Sequence, residues 1–281
     1  HPKKAVESGF LNCILINSRS LKNKLNELKL LLLSETYDIL FFVETWLNDT
    51  VSDGILCTST VYNVFRCDRL EKSGGGVAIF YKKALKINII ENIIVCQEVL
   101  ICDLISTCKQ KIRLILYYRP PKYNLELSEH IIHTFNNFVP EYLNCLILGD
   151  LNLPKLFQPY VNQDPITASF ETCFSTLGMF NMNWAPTRME NCLDLVLSTS
   201  EHLVFDIISI EPFCDSDHNS VSFKMSVSAS KDKQTPKRNF RMADYDALNG
   251  FFLTVDWNEL FRGCKSPTDM YRFFKSSKFC H

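Results

Sequence analysis

Leu146-Ile147-Leu148-Gly149-Asp150-Leu151-Asn152-Leu153-Pro154 is an apolar run that ends abruptly in glycine, aspartate and asparagine. A buried strand looks like this when it delivers a carboxylate and an amide to the mouth of a site. The same form recurs along the chain. Residues 10–16 read as a buried strand ending at Asn17, and residues 38–43 as one ending at Glu44. Residues 112–118 form another, stopped by Arg119-Pro120-Pro121. Gly74-Gly75-Gly76 leads into a strand over 77–81, and 87–95, 99–105, 193–197, 204–210 and 221–227 are further strand candidates. Helical spacing marks 21–34, 127–139 and 169–177. Strands dominate, and the helices do not alternate strictly with them. This pattern predicts an α/β fold of two packed sheets flanked by helices rather than a doubly wound parallel sheet.

The bulk numbers bound the reading. At 281 residues and 46% apolar, the chain can hold one large domain and an appendage. No run reaches the roughly 18 apolar residues that span a bilayer, so no membrane partner is expected. The polar first ten residues are not a secretory signal, and a chain beginning at His1 is expected to be a processed piece or fragment. Twelve cysteines are scattered without a single C-x-x-C pair, and Cys96, Cys102 and Cys108 fit no usual zinc spacing. They read as reduced, mostly buried thiols. Residues 1–228 carry 20 Lys+Arg against 25 Asp+Glu, and residues 229–281 carry 10 against 6. An acidic body is no general polyanion binder, although a local basic rim is compatible with it. Residues 226–236 read as a polar linker, and 239–281 as a small helical appendage.

Polar groups of one chemical kind stand at the strand ends: Asn17, Glu44, Tyr118, Asp150 with Asn152, Asp194, and Asp217 with His218. Phosphodiester hydrolysis needs such a set. A hard cation takes one or two carboxylates plus waters and phosphate, a base activates water, and a donor or cation meets the leaving oxyanion. The remaining histidines, His1, His130, His133, His202 and His281, lack such partners and read as structural or surface. The glycine triplet lacks both the Lys-Ser/Thr of a P-loop and the G-x-G-x-x-G spacing, and reads as a turn. Lys82-Lys83 reads as a solvated face, with a backbone phosphate contact as the alternative.

Seven pieces carry a resemblance in order: Asn17-Ser18-Arg19-Ser20-Leu21, Glu44-Thr45-Trp46-Leu47, Gly74-Gly75-Gly76-Val77-Ala78-Ile79, Tyr118-Arg119-Pro120-Pro121, Gly149-Asp150-Leu151-Asn152-Leu153-Pro154, Thr187-Arg188 followed by Leu193-Asp194-Leu195, and Ser216-Asp217-His218. The chain resembles the endonuclease/exonuclease/phosphatase superfamily, and within it the apurinic-endonuclease-like domain of LINE-type non-LTR retrotransposons. The resemblance implies a DNase-like, four-layer α/β sandwich of two mixed β-sheets flanked by helices. It implies a domain over 10–228, with 229–281 a basic linker and the start of a helical region leading to a reverse transcriptase. The implied activity is a Mg²⁺-dependent DNA endonuclease, with Mn²⁺ able to substitute, that leaves a 3′-hydroxyl to prime reverse transcription. Glu44 is the implied metal ligand, with Asn17 and Asp217 beside it. Asp150 would activate water, Asn152 and Tyr118 would hold the phosphate, and His218 would act on a phosphate oxygen, oriented by Asp194. Arg119, Thr187 and Arg188 would face DNA. Double-stranded DNA is the implied partner, with the parent element's reverse transcriptase and RNA in the full-length protein, and the place of action is nuclear. Leu151 stands where phenylalanine is familiar, a change expected to alter packing only. Alternatives are an abasic-site repair endonuclease, a phosphoinositide or sphingomyelin phosphodiesterase of the same fold, or an inactive domesticated DNA-binding remnant.

Overall fold

The computed structural model describes residues 9–57, 61–69, 74–90, 98–106, 109–121, 125–139, 144–158, 163–227, 245–264, 266 and 269–270. The chain divides into two compact units, residues 1–237 and 238–281.

The first unit holds two six-stranded mixed sheets. One runs in the order β11-β12-β1-β2-β4-β3, from β1 (Phe10–Asn17), β2 (Ile39–Val43), β3 (Tyr62–Cys67), β4 (Val77–Lys82), β11 (Val204–Pro212) and β12 (Asn219–Ser226). The other runs β5-β6-β7-β8-β10-β9, from β5 (Lys86–Ile89), β6 (Val99–Ile105), β7 (Lys111–Tyr118), β8 (Cys145–Asp150), β9 (Phe180–Asn181) and β10 (Asp194–Ser198). Side chains of period two explain the layering. Leu11, Cys13, Leu15, Phe41 and Ile79 of the first sheet meet Leu100, Leu114, Leu116, Leu146 and Leu148 of the second in one core between the sheets. The opposite faces are also apolar, because helices cover them. Ile14, Ile16, Leu40 and Phe42 pack against Leu28 and Leu32 of α1 (Leu25–Leu33) and Leu56 of α2 (Asp53–Leu56). Ile115, Tyr117, Cys145 and Ile147 pack against Ile131 and Phe135 of α3 (Leu125–Phe138), and Phe170 and Phe174 of α4 (Pro165–Thr176). Four layers result: helix, sheet, sheet, helix.

Two strands escape the sequence pattern. Strand β3 is an edge strand whose polar and apolar residues are mostly half-buried, and β9 is two residues long. The helix expected over 21–34 is a 3₁₀ turn (Leu21–Asn23) followed by α1, and it ends one residue early. Of the strand expected over 87–95, residues 86–89 form β5, and residues 91–95 lie outside the described residues. Most of the expected linker does as well. The nine described cysteines are free thiols. No helix among the described residues is long and apolar enough to cross a membrane.

In the second unit, α5 (Tyr245–Thr254) is followed by the single turn α6 (Trp257–Leu260). The carboxylate of Asp256 caps α6 by accepting the N–H groups of Asn258 and Glu259.

Candidate active site

Register brings the polar strand ends together. β1 and β2 are parallel, with Asn17 opposite Val43, so Asn17 and the next residue, Glu44, emerge at the same end. β7 and β8 are parallel, with Tyr118 opposite Asp150. β10 runs antiparallel to β8 and starts there, Asp194 opposite Asp150. His218 immediately precedes β12, which runs antiparallel to β1. Gly149 makes the β7–β8 approach possible. Its φ is 139°, and a Cβ there would lie 1.7 Å from the Tyr117 carbonyl oxygen.

One pole of the site is buried. Asp194 Oδ2 and His218 Nδ1 are 2.7 Å apart, and both residues are almost fully enclosed, as is Asp150. Ligand atoms of Asp150, Asp194 and His218 lie within 4.8 Å of one another, a grouping able to hold a metal ion. Carboxylates directly opposite across an antiparallel pair repel, and the effect is strong without water. Burial, then the Asp194 charge, push the Asp150 pKa well above the ordinary carboxylate value, against the opposing pull of His218 and the Asn152 N–H. Burial alone would depress the His218 pKa. The Asp194 hydrogen bond, with the charges of Asp194, Asp150 and Asp217, outweighs it and holds the pKa above the usual histidine value.

The other pole is made of loops. Glu44 has φ 52° and Trp46 φ 53°, conformations uncommon for side-chain-bearing residues. The Trp46 indole N–H reaches Glu44 Oε2 at 3.4 Å, and Trp46 N donates to the Gly75 carbonyl. The glycine triplet is thus a turn that seats Trp46 against Glu44. Tyr118 stands beside Glu44; burial, then the charges of Glu44 and Asp150, raise its pKa and keep the phenol protonated. The Arg69 guanidinium lies 5.9 Å from the Tyr118 ring centroid and pairs with the buried Glu98.

Asn17 joins the poles. Its amide nitrogen donates to Asp150 Oδ2 at 3.1 Å and Glu44 Oε1 at 3.3 Å. The expectation for Asn17 is a metal ligand. Here its nitrogen faces the carboxylates, while its oxygen accepts the Arg19 N–H. Asn152 N–H donates to Asp150 Oδ1 at 2.8 Å, and its side-chain amide donates to the Arg119 carbonyl at 2.9 Å.

Three further expectations are corrected. Arg119 is 2% exposed, and its guanidinium donates to the Leu151 carbonyl and the Ser128 hydroxyl. It braces the β8 loop from inside and is not presented at the surface. Thr187 is equally buried; its hydroxyl accepts the N–H groups of Leu193 and Asp194, fixing the start of β10. Asp217, expected beside the metal ligand, is engaged by two arginines. It pairs with Arg19 at 3.0 Å and Arg188 at 2.8 Å. Burial opposes its ionisation, but Arg188 and Arg19 outweigh that and hold its pKa below the usual value. Arg188 is partly exposed on this rim. Lys82 is tied to Asp38 and to the Glu35 carbonyl rather than left free.

Other residues, given no role of their own in the sequence reading, support the site. The Ser216 hydroxyl donates to the Asn17 carbonyl at 2.7 Å and accepts the His218 N–H at 3.2 Å. The Asn183 amide donates to the Asp194 carbonyl at 2.9 Å. The Ser-x-His spacing is the one local signal available for Ser216, since a hydroxyl two residues upstream can accept a backbone N–H. Asn183 carries no local signal.

The profile of the Endonuclease/Exonuclease/phosphatase family matches residues 11–218. The chain belongs to this family. No curated protein sequence is significantly similar to it. Among solved structures, the endonuclease domain of TRAS1, a telomere-specific non-LTR retrotransposon, is similar with a TM-score of 0.60 at 16% identity, over 78% of this chain and 99% of that one. The AP endonuclease LMAP from Leishmania major is similar with a TM-score of 0.61 at 16% identity, over 77% and 88%. An AP endonuclease from Archaeoglobus fulgidus gives 0.60 at 15% identity, over 77% and 100%. At such identities the likeness is one of fold, the DNase-like α/β sandwich.

The donor set suits a hard divalent cation. Glu44 offers a half-buried carboxylate, and Asp194 Oδ1 is buried without a hydrogen-bond partner. A buried carboxylate oxygen left unpaired is costly unless a cation or proton is supplied.

Proposed function

We propose that the chain is a Mg²⁺-dependent DNA endonuclease that nicks one strand and leaves a 3′-hydroxyl, as the nicking domain of a LINE-type retroelement. The observation that carries this reading is the buried Asp194–His218 pair beside Asp150, facing Glu44 across the Asn17 amide. Asp150, held by the Asn152 N–H and the Asn17 amide, takes the proton of the attacking water. Burial and the Asp194 charge raise its pKa, which makes the carboxylate a stronger base. His218, its Nδ1 engaged by Asp194, has Nε2 left for a phosphate oxygen. Tyr118, held protonated, donates to the same phosphate. A divalent cation at Glu44 would stabilise the charge that develops on the phosphate and leaving oxygen. Manganese would meet the same oxygen ligands.

On this reading residues 10–228 are the nuclease and 229–281 begin the segment toward a reverse transcriptase. That polymerase and the element RNA are its partners, and its place of work is the nucleus. The likeness to TRAS1 supports the retroelement branch, and the equal likeness to AP endonucleases supports a second reading, an abasic-site nuclease. The test is relaxation of supercoiled plasmid, compared with cleavage of an abasic duplex and hydrolysis of a phosphoinositide. Mg²⁺-dependent nicking that disappears in Glu44→Ala and Asp150→Ala is the expected result. Nicking that survives both substitutions sinks the assignment. Cleavage confined to the abasic duplex selects the repair reading, and duplex binding without cleavage selects an inactive remnant.

A further inference from the structure

Arg19, Arg188 and Asp217 stand on the exposed rim of the site, each next to a group already placed in it. Arg19 lies two residues after Asn17, Arg188 follows the buried Thr187 that anchors Asp194, and Asp217 precedes His218. Both guanidiniums form ion pairs with the same oxygen, Asp217 Oδ2, through one nitrogen each. Among the described residues neither guanidinium donates a side-chain hydrogen bond elsewhere, so most of their N–H donors remain for a ligand. Two cations on one carboxylate leave a net positive charge, and the arginine side chains are 53% and 40% exposed. The backbone also fixes where Arg19 stands: its φ is 40°, and its N–H and carbonyl are held by Asn17 and Lys24. Residues 1–228 are net acidic, with 20 Lys+Arg against 25 Asp+Glu, so a polyanion has to be met by such a local device.

We infer that Arg19 and Arg188, braced by Asp217, form a clamp for a backbone phosphate of the DNA strand, next to the phosphate that reacts. The clamp rests on the DNA reading above and gives Asp217 a positioning role instead of a metal-binding one. Guanidinium forks match phosphate oxygens in pairs. Because all three residues are joined to Asn17, Asp194 and His218 through short stretches of backbone or the Thr187 hydroxyl, a phosphate held there sets where the strand lies relative to the reacting groups.

The test is duplex binding by fluorescence anisotropy in EDTA, where no cleavage occurs, over a range of salt concentrations. The Arg19→Gln/Arg188→Gln double variant should weaken binding alike across sequences. Its log K against log salt slope should shrink by about 0.9 for each phosphate that is no longer neutralised. The Arg→Lys pair should recover most of the slope, which a merely structural brace would not do. Thermal unfolding checks that each variant is folded, and 31P NMR with inorganic phosphate gives a second readout. Equal slopes for the unaltered chain and the double variant overturn the clamp and leave the DNA reading standing. Inorganic phosphate binding that vanishes in the double variant, with no duplex binding by the unaltered chain, keeps the clamp as an anion site and overturns the DNA reading. Binding of neither overturns both.

Discussion

The two poles of the cleft place their charges by different physical means. At the buried pole, Asp150 and Asp194 are ladder residues of β8 and β10, and His218 abuts β12. Sheet register sets their positions; burial raises the Asp150 pKa, whereas Asp194 raises that of His218 against the effect of burial. At the loop pole, Glu44, Trp46 and the glycine triplet all have positive φ. There the backbone itself is bent into place and held by hydrogen bonds such as Trp46 N to the Gly75 carbonyl. Register is rigid and brittle, whereas a bent loop can yield. Glycine shows the difference most sharply. A Cβ on Gly149 would meet backbone at 1.7 Å, but one on Gly76 would meet a side-chain atom, the Thr45 hydroxyl, at 2.7 Å. Gly149→Ala should therefore cost more than about 4 kcal/mol and leave little folded protein. Gly76→Ala should cost about 1–3 kcal/mol, mainly from its positive φ. Urea unfolding of both variants checks the contrast, and equal losses would remove it.

The poles should also fail differently in catalysis. Asp194→Asn takes away the charge that holds His218 in place, and the rate should fall by about 10²–10⁴-fold, as for loss of a general acid–base group. More Mg²⁺ should not restore it, because the lost Asp194 bond to His218 stays lost whatever the cation occupancy. Glu44→Gln weakens the proposed cation ligand, so part of its activity should return as Mg²⁺ is raised. Plasmid nicking over a Mg²⁺ titration separates them, and a rescue of Asp194→Asn by metal would show that the two poles are not distinct.

The same contrast governs what is legible in the chain. Strands β1, β2, β7, β8 and β12 are apolar runs with polar stops or regular alternation, so they and the site residues at their ends can be read directly. Strand β3 cannot, because Asn63 and Arg66 interrupt it and its sheet-edge position leaves it half-exposed. Residue type is legible where direction is not. The resemblance implies a DNA contact for Arg119, yet its side chain turns inward to Leu151 and Ser128. The Thr187 hydroxyl turns to the β10 backbone instead of outward. The resemblance makes Asp217 a metal-side acid, and its partner Arg19 lies far away in sequence. Long-range pairing of this kind leaves no local spacing to detect.

The smallest expected effect concerns the charge on Asp150. Its folded pKa is raised, first by burial and then by Asp194. Between the unfolded value, about 3.9, and the higher folded value, the native state binds more protons than the unfolded one. Stability therefore falls as pH rises through that window. Above it the full penalty of a buried, repelled carboxylate is present; below about pH 4 it is absent. Asp150→Asn removes the charge. With metal chelated, the variant should melt above the unaltered protein at pH 8, and the gap should close as pH is lowered toward 4. About 1 kcal/mol moves the melting temperature of a domain of this size by about 2–4 °C, within reach of calorimetry. The gain would come with loss of nicking, the expected exchange at a site whose charge is kept for chemistry and not for folding. A variant that melts lower at pH 8, or a gap that does not narrow with acid, would mean that the Asn17 and Asn152 hydrogen bonds to the carboxylate stabilise the fold more than its burial costs.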